Sequence, residues 1–128
     1  MSTNAFQAVL VNTDGTAETV TWTPTSDMPN YKHFQKFVGG MVDVVSIARD
    51  MDAWVNDEGM ILGLEPNLSA TFLLAYLSGR KLRQPLFGPV VFTGGPDPEG
   101  ETQPLTDEAV ELFHIALTHL AAITGQEV

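Results

Sequence analysis

Carboxylates crowd one short stretch of the chain, at Asp50, Asp52, Asp57 and Glu58. Clustered oxygens of this kind could hold a hard cation. A calcium loop, however, alternates its oxygen ligands, places a glycine at its centre and ends in a bidentate glutamate. Here Trp54 and Val55 stand where a ligand and the glycine belong, so solvated turns are the expectation. The histidines are His33, His114 and His119. The last two, spaced i and i+5, point to different sides of a helix. Glu111-x-x-His114 matches half of a di-iron helix motif, which needs a second copy that the chain lacks. No metal is expected.

Gly94-Gly95 has the look of a phosphate loop. Yet Pro96-Asp97-Pro98-Glu99 follows it, and its carboxylates would repel phosphate; no Gly-Lys-Ser/Thr is present. Ser46, Ser69 and Ser78 sit in no nucleophile elbow. Arg80, Lys81 and Arg83 are the concentrated positive charge, read as helix capping plus a solvated loop. The chain is therefore expected to be no enzyme and to carry no cofactor.

Composition narrows the rest. The 128 residues suit one domain, and 44% hydrophobic against 17% charged residues is globular composition. Sixteen acidic and six basic residues give a net charge of -10, which argues against direct nucleic-acid binding, where phosphates need clustered Lys and Arg. Cysteine is absent, so a disulfide scaffold and thiolate zinc sites are excluded. MSTNAFQ lacks a basic segment followed by an apolar run, so no secretory signal is expected. Ala70 to Leu77, the longest apolar stretch, is far short of the roughly 20 residues of a membrane span. No membrane partner and a cytoplasmic location follow as expectations.

The elements that must position these residues are legible from patterning. Phe6–Asn12 and Thr19–Thr23 flank Thr13-Asp14-Gly15, a hairpin signal because glycine accepts positive φ. Pro29 suits a helix's first turn; Tyr31, Phe34, Phe37 and Val38 recur at helical spacing, and Gly39-Gly40 ends the run. Strands are expected at Met41–Ile47 and Ala53–Asn56, and again at Met60–Leu62 to complete an antiparallel meander. Pro66-Asn67-Leu68-Ser69 opens a second helix with Leu68, Phe72, Leu73 and Leu77 as its buried stripe, closed by Ser78-Gly79. Pro89–Thr93 reads as a strand covered on both faces. Thr106 caps a last helix, buried through Ala109, Leu112, Phe113, Ala116, Leu117, Leu120 and Ile123 and ended by Gly125. The expected architecture is a single α+β domain over residues 1–128. It has an antiparallel or mixed sheet of about five or six strands, with three helices mainly on one face.

Asp43 interrupts an apolar strand phase of Met41, Val45 and Ile47. A carboxylate there must reach water or find donors. The Asn56 side chain or the amides of the following turn are the expected donors. The alternative is that Asp43, Trp54 and Asn56, with Asp57 and Glu58 beside them, form a candidate interaction surface.

The central block resembles an uncharacterised family of small proteins from actinobacterial phages, plasmids and other mobile elements, a domain of unknown function. The resemblance is carried by Val38-Gly39-Gly40, Val42-Asp43-Val44-Val45, Val55-Asn56-Asp57-Glu58-Gly59, Gly63-Leu64 and Pro66-Asn67. It resumes at Ala70-Thr71 and Gly88-Pro89-Val90-Val91-Phe92-Thr93-Gly94, spanning residues 31–95, with Trp54 and Glu65 as departures. It implies a mobile-element origin and expression in a bacterial host, and it carries over no catalytic residue. The expected function is a phage-encoded accessory protein that binds a host protein or defence component. The alternatives are an acidic, DNA-mimicking decoy of a DNA-binding protein and a small-molecule or nucleotide-sequestering protein. Partner identity and oligomeric state are not legible in the sequence.

Overall fold

A computed structural model describes residues 5–48 and 50–124. Strand β1 (Phe6–Val11) turns back into β2 (Ala17–Trp22) through the expected Asp-Gly signal. Gly15 has φ 91°, and Asp14 Oδ1 accepts from the Thr16 amide at 2.9 Å. Helix α1 (Asn30–Val38) follows Pro29 and ends where Gly39, at φ 82°, donates its amide to the Gln35 carbonyl. Strands β3 (Val42–Ala48) and β4 (Met51–Asn56) form an antiparallel pair with a bulge near Ile47. The two-residue strand β5 (Pro66–Asn67) leads into α2 (Leu68–Ser78), and the equally short β6 (Leu86–Phe87) pairs with β5. Strand β7 (Val90–Gly94) and helix α3 (Asp107–Thr124) complete the chain. Thr106 Oγ1 accepts from the Ala109 amide at 3.1 Å, as the capping pattern predicted.

The fold class is α+β, as expected. The main sheet is five-stranded and antiparallel throughout, in the order β2-β1-β7-β4-β3. Alternation along each strand builds a core on both sides. One face carries Val9, Val11, Ala53, Val90 and Phe92, packed with Leu73 and Leu74 of α2 and Phe113 and Leu117 of α3. The other carries Phe6, Ala8, Leu10 and Val91, packed with Phe34 and Val38 of α1. Each Val, Leu or Phe side chain among them, fully buried, contributes about 1.5–3 kcal/mol relative to exposure. Strand β7 lies at the sheet's centre and is buried along its whole length, as its unbroken apolar run required. Two of the three helices, α2 and α3, cover one face, and α1 covers the other.

Three sequence expectations change. Met60–Leu62 is a turn, not a strand. The Leu62 amide donates to the Glu58 carbonyl at 2.8 Å and the Leu64 amide to Gly59 at 3.0 Å, so this backbone satisfies itself locally. No meander could form there, because the free side of β4 pairs with β7. On α2, the buried residues are Ser69, Ala70, Leu73 and Leu74, whereas Leu68 and Phe72 are about half exposed and Leu77 is half-buried. On α3, Phe113 and Leu117 are buried but Leu112 is exposed. The side chain of Ile123 and the stop at Gly125 lie outside the described residues.

Candidate functional site

Trp54 projects from β4 toward α1. Its ring stacks on Phe34 at 4.7 Å between centroids, and its indole N–H donates to Thr93 Oγ1 at 2.9 Å. Both ends of the side chain are thereby engaged with the neighbouring strand and helix. Asn56, on the same face of β4, is 6% exposed. Its Nδ2 donates to the Val38 carbonyl at 3.1 Å, and its Oδ1 accepts the Glu58 amide at 2.8 Å. The residue ties the end of α1 to the turn after β4. Glycine at position 40 follows from this. A Cβ there would lie 2.9 Å from Asn56 Nδ2, closer than carbon atoms approach.

Asp43 stands apart from these groups. It lies opposite Val55 in the ladder while Val44 lies opposite Trp54, and opposed residues share a face. Asp43 is therefore on the α2–α3 side of the sheet, and Trp54 and Asn56 are on the α1 side. The expected bond between Asp43 and the Asn56 side chain or the turn does not form. The Asp43 carboxylate instead accepts the adjacent Val44 amide at 3.0 Å, and its side chain reaches water at the sheet edge. Asp57 and Glu58 are exposed in the turn. The five residues form no single surface. A period of two separates Asp43 from the rest, and Asn56 is consumed in holding the fold.

Other polar groups are buried or half-buried, and one is a correction: Asp52, expected in a solvated turn, lies within β4 between β3 and β7. Asn67 is fully enclosed. Its Nδ2 donates to the carbonyls of Val11 and Gly88 at 2.9 Å each, while its Oδ1 caps α2 by accepting from Ala70 at 3.0 Å. Asp52 is 5% exposed, and its Oδ1 has no hydrogen-bond partner among the described residues. Burial pushes its carboxyl above the ordinary range, and the Ser46 hydroxyl pulls it partly back. His33 stacks on Trp22 at 4.8 Å between centroids, and desolvation, then the Lys36 charge, lower its pKa. The spacing of charged residues signals none of this, since each depends on which strands become neighbours.

Gly94 serves backbone approach, not phosphate. The carbonyls of Gln103 and Pro104 would each lie 2.9 Å from a Cβ at that position. Arg80 of the basic cluster donates to the Ser46 carbonyl on β3. Among the described residues no group of three or more His, Asp or Glu side chains is placed to hold a metal ion. No helix among them is long and apolar enough to cross a membrane.

The geometry is that of a two-sided sheet domain, and the same architecture runs from the first strand into the last helix. A family profile, Domain of unknown function (DUF3846), matches residues 6–118. The chain belongs to the DUF3846 family. The match reaches well past residues 31–95, so both the β1–β2 hairpin and most of α3 are part of the family's domain. No curated protein matches the chain, and no solved structure does.

Proposed function

We propose that this DUF3846 domain is a non-enzymatic binding protein of an actinobacterial phage or related mobile element, acting in the host cytoplasm on a host protein or defence component. The observation that carries the reading is the outward side of α2. The helix contains no charged residue from Leu68 to Ser78, in a chain of net charge -10. Leu68, Phe72 and Tyr76, at i, i+4 and i+8, form an outward stripe and are 51%, 49% and 77% exposed. A helix apolar on every side is ordinarily enclosed on every side. Here the sheet and α3 cover the inner side. Leu112 and Ile115 on α3 are also exposed. A groove of about 250 Å³ between the two helices is lined by Leu73, Tyr76, Ala116, His119 and Leu120. Apolar patches of this kind mark protein contacts, and aromatic residues in them serve as anchors. The mobile-element origin and the host location rest on the sequence resemblance.

The test pairs wild type with a Phe72→Ser, Tyr76→Ser variant. Both are used to capture proteins from an actinobacterial host lysate, and the captured protein is then purified and titrated. The expected result is an unchanged circular dichroism spectrum with affinity weakened at least about tenfold, on the order of 1.4 kcal/mol. The complex should persist from 0.1 to 1 M salt, over which the Debye length shrinks from about 10 to about 3 Å. Equal affinity of the variant would refute the α2 reading. Affinity that collapses with salt would favour the acidic decoy instead.

A further inference from the structure

The exposed edge formed by β3 is independent of the α2 face. In its ladder with β4, alternate residues point their backbone groups toward the partner strand and away from it. The Asp57 amide donates to the Met41 carbonyl at 3.0 Å, which places Met41, and with it Asp43 and Val45, in the inward set. Val42, Val44 and Ser46 are then the outward set. Two observations agree with that assignment. The Val44 amide donates to Asp43 Oδ1 at 3.0 Å, and the Ser46 carbonyl accepts from the Arg80 guanidinium.

We infer that β3 is a self-pairing edge, kept closed in the monomer by the side chains of Asp43 and Arg80, and that its occupant when open is the β3 of a second copy of this chain. An unpaired edge offers a row of donors and acceptors, and natural sheets guard such rows with charged side chains. The register of the pair follows from two-fold symmetry centred on Val44. Val44 would oppose Val44 of the second copy, Val42 would oppose Ser46, and Asp43 would oppose Val45, all on the regular side of the bulge near Ile47. No carboxylate faces another in that register. Val44, 43% exposed, would gain an apolar neighbour. The bonds across the seam come from the outward groups of Val42, Val44 and Ser46. Both guarded groups are among them: the Val44 amide and the Ser46 carbonyl. Arg80 comes from beyond the end of α2, so the guard also couples the edge to the position of that helix.

Sedimentation velocity of the full chain tests the inference. At about 100 µM, a concentration at which open edges associate, wild type should sediment as a monomer and an Asp43→Ala, Arg80→Ala variant as a dimer. Adding Val44→Pro removes an outward amide and no ladder bond, so it should return that variant to the monomer. A folded double variant that stays monomeric would overturn the inference. So would a dimer that survives Val44→Pro, or wild type already paired through β3. If the double variant does not fold, hydrogen exchange of single Asp43→Ala decides. The Val44 amide should exchange at least about tenfold faster than in wild type, and an unchanged rate would remove Asp43 as a guard.

Discussion

A Cβ on Gly40 would meet Asn56 Nδ2 at 2.9 Å, and the Asn56 amide is already committed to the Val38 carbonyl. Residues distant in sequence are thus matched by volume as well as by hydrogen bonding. Asn67 repeats the arrangement at the other helix: three bonds of one buried amide join β1, the turn before β7 and the start of α2. Asn67→Ala would strand two buried carbonyls and an amide, and each such loss costs about 1–3 kcal/mol. Urea melts should show a loss of at least about 3 kcal/mol, and one below about 1 kcal/mol would mean that water replaces the side chain. Asp52 makes the opposite prediction. Its folded-state pKa is raised by burial, so the native state holds the proton more tightly than the unfolded chain. That contribution is present in acid, below the unfolded carboxyl's pKa, and is lost as pH rises through the folded value. Asp52→Asn should therefore be more stable than wild type at neutral pH, with the gap closing in acid. Denaturant melts across that pH range check the sign.

At the scale of elements, local chemistry marks where helices begin and end, while their rotation belongs to the packing. Thr106, Asn67, Gly39 and Gly79 cap or stop helices through bonds to backbone groups a few residues away. Helix α3 carries apolar residues over a wide arc, yet the sheet meets it along Phe113 and Leu117 and leaves Leu112 63% exposed. Leu117→Ala should cost about 2–5 kcal/mol, as a buried large-to-small change. Leu112→Ala should cost no more than about 0.5 kcal/mol, as a surface change. Equal costs in paired melts would show that α3 is rotated from the orientation described. The same freedom of rotation put Leu68 and Phe72 on the outside of α2.

The whole molecule carries sixteen acidic against six basic residues. A net charge of -10 repels itself in the compact state, and salt screens that repulsion. Thermal stability should therefore rise from about 0.01 M to about 0.5 M sodium chloride, the Debye length falling from about 30 Å toward about 3 Å. A midpoint that falls with salt would indicate net-favourable ion pairing instead. The sheet order has a related molecular logic. The strand buried at every position, β7, takes the centre and is covered by helices on both faces, while β3 and β2, which mix polar and apolar residues, take the edges.

The sequence by itself determined the fold class, the first hairpin, the helix starts, the helix stops at Gly39 and Gly79, and the doubly covered β7. These depend on contacts within a few residues or on an unmistakable run of Val90, Val91 and Phe92. Only the tertiary structure decided which strands are neighbours, and everything that hangs on that choice. Because β7 inserts beside β4, Met60–Leu62 has no strand to join. Because opposed residues share a face, Asp43 parts from Trp54 and Asn56 and meets the Val44 amide at the sheet edge. The physical reason is the same in both cases. Periodicity reports that a residue alternates, but which side becomes interior is set by the partner that arrives from elsewhere in the chain.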